Sequence, residues 1–284
     1  MEPPCRSFDF EGHRLAYDIR GSGAHSIVLV PGLLMPRRMH ERLADALHRN
    51  GFRVVTLEPL GWGESDKPRG YQHYSMGGYA RQVIALLDEL GIARTVLFGT
   101  SAGANIALAT AALAPDRLCG MITESPVLER AVPACAAVGF PALLLGRYGA
   151  PLVDVLGRGA DRIPRRRGGL PDLGLSWIAQ DSRVSADVVQ GIVYGGLRVP
   201  RAERTAIATR TLVIGHRFDP IHPIADDRAL VRELRDTRFL RSSSIVELRR
   251  DPRRLLGEIT DFARACWSAD PAEVAAPQAP STPL

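Results

Sequence analysis

The five residues Gly99-Thr100-Ser101-Ala102-Gly103 constrain this chain more than any other stretch. An apolar run, Thr95-Val96-Leu97-Phe98, precedes them, and a small-residue helical pattern from Ala102 to Leu113 follows. The order is strand, sharp turn, helix, with a serine at the apex. Glycines at the spacing G-x-S-x-G let the backbone turn tightly, so that the serine hydroxyl projects into a cleft. Glycine and serine are common, and the spacing alone says little. The strand before it and the helix after it make it read as a nucleophile elbow. The plainer reading of the same residues is a strand-to-helix turn with a serine cap.

The rest of the chain alternates in the same way. Residues 7 to 19 read as a hairpin turning at Glu11-Gly12, with two-residue alternation on both arms. Ser26-Ile27-Val28-Leu29-Val30 is nearly all apolar, as a strand covered on both faces must be. A helix is expected over Arg38 to Arg49 and stopped by Gly51, followed by a strand over Phe52 to Leu57. Tyr79 to Leu90 carries Val83, Leu86, Leu87 and Leu90 on one side and ends at Gly91, the pattern of an amphipathic helix. Leu118 to Thr123 is a further strand. The rhythm resumes with a strand over Thr211 to Gly215, a helix from Ala225 to Leu234, a strand near Arg238 to Arg241, and a helix from Pro252 to Trp267 opened by its proline. Alternating strands and helices predict an α/β fold, a mostly parallel sheet with helices on both faces. Between these two runs, residues 127 to 205 contain no convincing strand and predict a helical insertion over the carboxyl edge of the sheet. The expected division is therefore a core over 1–126 and 206–267, an insertion over 127–205, and a disordered tail over 268–284, which is rich in Pro, Ala and Ser.

Composition bounds the function classes. The chain has 284 residues, 45% hydrophobic and 24% charged, enough to bury a core without staples. Cys5, Cys119, Cys135 and Cys266 are scattered and form no C-x-x-C pair, which points away from a metal site or a disulfide framework and towards a reducing cytoplasm. The N-terminus has no basic-then-apolar leader, and no apolar run approaches a membrane span. The net charge of +5 comes almost wholly from arginine, Lys67 being the only lysine. The densest cluster, Arg165-Arg166-Arg167, borders Gly168-Gly169 without interleaved aromatics and reads as a solvated loop rather than a nucleic-acid contact. A small-molecule substrate is expected, with no nucleic acid, membrane, cofactor or metal; nothing in the sequence indicates an oligomeric state.

Four segments, in order, resemble the α/β-hydrolase superfamily over residues 25 to 267. Val30-Pro31-Gly32-Leu33 stands where that family has its oxyanion loop. Glu58-Pro59-Leu60-Gly61-Trp62-Gly63-Glu64-Ser65 resembles its D-x-x-G-x-G-x-S turn, with glutamate for aspartate. Gly99 to Gly103 matches the elbow, and Gly215-His216-Arg217-Phe218-Asp219-Pro220 resembles the loop carrying the acid of a catalytic triad. The resemblance implies a serine-dependent, esterase-like hydrolase acting on a small, largely apolar carbonyl substrate beneath a helical cap. Ser101 would be the nucleophile and Asp219 the orienting acid. The backbone N–H groups of Leu33 and Ala102 would be the oxyanion donors. Pro31 removes only its own N–H, so Leu33 keeps its donor. Asp219 also suits a plain turn before Pro220. Glu124, at the end of the strand after the elbow helix, matches an alternative acid position, or is a polar strand end.

The general base departs from the pattern. The family places a histidine after the last strand, and by spacing Ile245 occupies that slot; no histidine follows His222. His222, three residues after Asp219, is the best substitute, since one turn could bring the two together. His216 and His73 rank below it, and His13, His25, His40 and His48 read as surface or packing residues. A chain with no base would be a poor esterase, because oxyanion stabilisation alone retains only about 10³–10⁴ over water. The alternative is therefore a repurposed fold, either with lyase, isomerase or cyclase chemistry or binding a ligand without turnover.

Overall fold

The computed structural model describes residues 3–149, 175–176 and 179–268. Eight strands form one sheet in the order β1-β2-β4-β3-β5-β6-β7-β8. They are β1 (Arg6–Phe10), β2 (His13–Arg20), β3 (Ser26–Val30), β4 (Arg53–Glu58), β5 (Thr95–Thr100), β6 (Leu118–Glu124), β7 (Thr211–Phe218) and β8 (Thr237–Ser244). β1 and β2 pair antiparallel, as do β2 and β4; all remaining pairs are parallel. The helices are α1 (Glu41–Arg49), α2 (Met76–Glu89), α3 (Ala102–Leu113), α4 (Val132–Tyr148), α5 (Ser182–Tyr194), α6 (Arg201–Ala206), α7 (Ile224–Glu233), α8 (Glu247–Arg250) and α9 (Arg253–Ser268).

The unbroken apolar strands follow from two covered faces. Ile27 and Leu29 of β3 point to one face and pack with Leu43 and Leu47 of α1 and Ile259 and Phe262 of α9. Val28 and Val30 point to the other, with Val83 and Leu86 of α2 and Ile106 of α3. The expected elements all form, with four shifts. α1 starts at Glu41, three residues later than expected, because Arg37–His40 is a 3-10 turn. α2 starts at Met76, three residues early, because the Ser75 hydroxyl accepts from the Gly78 amide at 3.1 Å and caps a turn whose glycines carry no periodicity. β7 runs on to Phe218. β8 is longer than expected because it is an edge strand rich in Arg and Ser, and edges need no apolar run.

Chain order places the site. From β3 the chain goes to β4 on one side and then to β5 on the other, so the strand order reverses between β3 and β5. Ligands of open α/β sheets bind at such a reversal, beyond the carboxyl ends of the strands. The loop after β3 and the turn after β5 meet there, with Val30 in register with Gly99. Between 127 and 205 the described residues are helical where regular, namely α4, α5 and α6. The Arg165-Arg166-Arg167 cluster and nearly all of the expected tail lie outside the described residues. No described helix is long and apolar enough to cross a membrane.

Candidate active site

Ser101 leaves β5 with φ 53° and ψ −117°, in a region that disfavours side chains. The two glycines of the motif are steric necessities. A Cβ on Gly99 would strike the Gly103 carbonyl and lie 2.6 Å from the Ala104 nitrogen. One on Gly103 would strike the Val30 carbonyl and lie 2.6 Å from that of Pro31. Helix α3 therefore rests directly on the end of β3. The turn is held by the Ser101 amide, which donates to the Glu124 carbonyl at 2.8 Å.

The loop after β7 brings two predicted residues together on Ser101. One oxygen of Asp219 accepts the amides of Ile221 and His222, both at 2.9 Å, and so folds its own loop. The other lies 2.9 Å from His222 Nδ1. His222 Nε2 is in turn 2.9 Å from Ser101 Oγ. A carboxylate only accepts, so Nδ1 carries the hydrogen and Nε2 is left bare towards the hydroxyl. His222 is 4% exposed, and the Asp219 side chain 2%. Burial works against the Asp219 charge, but hydrogen bonds from His216 and His222 outweigh it and hold the carboxyl well below the usual carboxylate range.

The two amides singled out in the sequence flank this row. Leu33 is second in a turn closed by the Met35 amide on the Gly32 carbonyl at 2.9 Å. Leu34 sits in the left-handed region there, at φ 57°. Ala102 opens α3, where an amide has no helical carbonyl to bond. Each stands three residues beyond the paired Val30 and Gly99. The Gln180 side chain donates to the Leu34 carbonyl at 2.9 Å, and Asn105 of α3 holds the carbonyls of Val127 and Leu197 at 2.9 and 2.8 Å. The segment between β6 and β7 is thus fastened to the loop after β3 and to α3.

Glu124 lies beneath the elbow, fully buried. It pairs with Arg249 through both oxygens, accepts from Thr100 at 2.7 Å, and lies 3.0 Å from His216 Nε2. Burial opposes its charge, but the Arg249 guanidinium and the His216 hydrogen bond prevail and hold it well below the usual range. Neither Arg249 nor the position of His216 within β7 was legible in the sequence. Ile245 is half-buried, and its carbonyl accepts from Arg249 at 3.2 Å. His40 is a packing residue, 3.4 Å from Thr100 and edge-on to Phe98, and burial pushes it down to about 3. His73 is exposed and meets the ring of His13.

The glutamate-for-aspartate turn also has a local reason. The Glu58 carboxylate accepts the amides of Arg37 and Glu64 at 2.7 Å each and the Arg37 guanidinium at 3.0 Å. A Cβ on Gly63 would strike it, so the motif closes on its own first residue.

The family model described as alpha/beta hydrolase fold matches residues 25–161. The enol-lactonase from Burkholderia xenovorans superposes with a TM-score of 0.74 over 91% of this chain and 100% of its own, at 23% identity. The chain has the α/β-hydrolase fold. A thermophilic esterase from Thermogutta terrifontis also superposes, with a TM-score of 0.72 over 94% of this chain and 99% of its own, at 21% identity. Among curated relatives, a zearalenone hydrolase of Cladophialophora bantiana is 30% identical over 119 residues, 41% of this chain and 44% of that protein. A 2-hydroxy-6-oxononadienedioate/2-hydroxy-6-oxononatrienedioate hydrolase of Burkholderia vietnamiensis is 35% identical over 109 residues, 37% of each chain. The matches span less than half the length of these two relatives. In this α/β-hydrolase fold, then, the histidine facing Ser101 comes from the loop after β7 that carries Asp219, not from the loop after the last strand.

Proposed function

We propose that the protein is a serine-dependent hydrolase of small, largely apolar esters or lactones. The row Ser101 Oγ, His222 Nε2, His222 Nδ1, Asp219 Oδ2, with 2.9 Å at both hydrogen bonds, carries the reading. His222 takes the Ser101 proton as the hydroxyl attacks the substrate carbonyl. Asp219 keeps the ring in its tautomer and balances the imidazolium that forms. The amides of Leu33 and Ala102 bind the oxyanion of the tetrahedral intermediate. His222 then returns the proton to the leaving oxygen, and water repeats the sequence on the acyl-enzyme. Residues 127–205 act as a cap, tied down through Asn105 and Gln180. Hydrolases named for zearalenone and for an enol-lactone support an ester or lactone carbonyl as the reacting group.

The reading of a repurposed, non-hydrolytic fold was motivated by Ile245 in the histidine slot; a histidine in reach from another loop removes that motive. A fluorophosphonate probe labels the wild type and leaves Ser101→Ala unlabelled. In His222→Ala the labelling rate falls by about 10⁴ or more. Equal labelling of wild type and Ser101→Ala would exclude this function.

A further inference from the structure

Asp219 has a second histidine behind it. His216 Nδ1 lies 3.5 Å from the Asp219 oxygen that also faces His222, and 3.1 Å from Ser125 Oγ. Its Nε2 lies 3.0 Å from Glu124, and the ring is 1% exposed. Carboxylates only accept, and a neutral imidazole has one N–H. A neutral ring can give its N–H to Glu124 and accept the Ser125 hydroxyl at Nδ1, but only a charged ring offers a hydrogen to the Asp219 side as well as to Glu124. The charges favour the second state. The described groups facing His216 are Glu124 at the end of β6 and Ser125 just after it, Asp219 from the loop after β7, Asp227 from α7 and Arg249 from α8, with His222 on the same Asp219 oxygen. Asp227 has no hydrogen-bond partner among the described residues. Buried without one, it stays protonated at neutral pH. Two carboxylates, Glu124 and Asp219, then face one guanidinium, Arg249; a proton on His216 makes the cluster neutral.

We propose that His216 is a positioning residue, held as an imidazolium between Glu124 and Asp219, which fixes the Asp219 carboxylate and weakens its pull on the His222 proton. This rests on the hydrolase reading for its catalytic consequence but not for the state of the ring. With His216 charged, the Asp219 oxygen that faces His222 also faces a second cation. Burial disfavours the charge on His216, but the hydrogen bonds to Asp219 and Glu124 outweigh burial and push it up to about 9, consistent with this geometry.

Two measurements test it on the full-length protein. Histidine ¹⁵N spectra at pH 7 should show both His216 nitrogens protonated, the signal being identified by its loss in His216→Gln. A bare nitrogen on His216 at pH 7 overturns the proposal whatever Ser101 does. The second is the pH dependence of fluorophosphonate inactivation. His216→Gln removes a cation from the Asp219 oxygen that both rings face, at 3.5 Å from His216 Nδ1 and 2.9 Å from His222 Nδ1, so the acid limb should move up by about one and a half to two pH units at an effective dielectric constant of about 20. A role in packing alone would slow the reaction or lower stability without moving that limb, and an unmoved limb overturns the proposal. Should His216→Gln not fold, Ser125→Ala identifies the signal through its contact with Nδ1, and the wild-type spectrum decides. Absence of Ser101 labelling in the wild type would strike the hydrolase reading, and the spectrum would still decide the charge on His216.

Discussion

Asp227 ties the stability of this fold to pH. It lies on α7 against β7, 1% exposed, in a space that exists because residue 215 is glycine. A Cβ on Gly215 would stand 2.8 Å from Asp227 Oδ2 and 2.9 Å from the Phe239 ring. Neither carboxyl oxygen has a hydrogen-bond partner among the described residues. Burial pushes its pKa up from 3.8 to about 8; His216 pulls it down, and the neighbouring carboxylates of Asp219 and Asp226 add to the rise. The folded protein therefore holds a proton that the unfolded chain releases. The group's contribution to stability is fully present below pH 3.8 and is lost as pH rises towards about 8. Within that window the loss is about 1.4 kcal/mol per pH unit, or about 4 kcal/mol between pH 5 and 8. Asp227→Asn keeps the shape and is neutral at every pH. Its stability relative to wild type, from urea titrations followed by circular dichroism, should climb with that slope to pH 8 and then level off. A constant difference between the two proteins over pH 5–8 would refute the reasoning.

Arg249→Met leaves Glu124 buried and without its guanidinium, at a cost of about 3–5 kcal/mol in urea unfolding; adding Glu124→Gln should recover much of it, and a double variant as unstable as the single one would contradict this account. Gly103→Ala drives a methyl into the Val30 and Pro31 carbonyls, so α3 must move off the end of β3; a loss of about 1–3 kcal/mol is expected, together with slower labelling of Ser101, and wild-type values for both would show that the close approach is not needed.

The sequence alone determined the layers and the location of the candidate site. Runs such as Ile27-Val28-Leu29-Val30 are apolar throughout because helices cover both faces, and that burial is written residue by residue. Gly99 and Gly103 are equally local, since each is required by backbone within a few ångströms. The proximity of Asp219 to His222 was readable from their spacing, because the pair folds on two amides of its own loop. Tertiary structure alone decided whether that loop reaches Ser101, for this depends on the packing of β7 beyond β6 and on a contact spanning 121 residues. The cluster of Glu124, His216 and Arg249 was illegible for the same reason. Glu124 and Arg249 lie 125 positions apart, and a buried charge carries no mark in sequence that names its partner. Local sterics leave a pattern in the chain; electrostatic pairing at long range appears only once the strands are laid side by side.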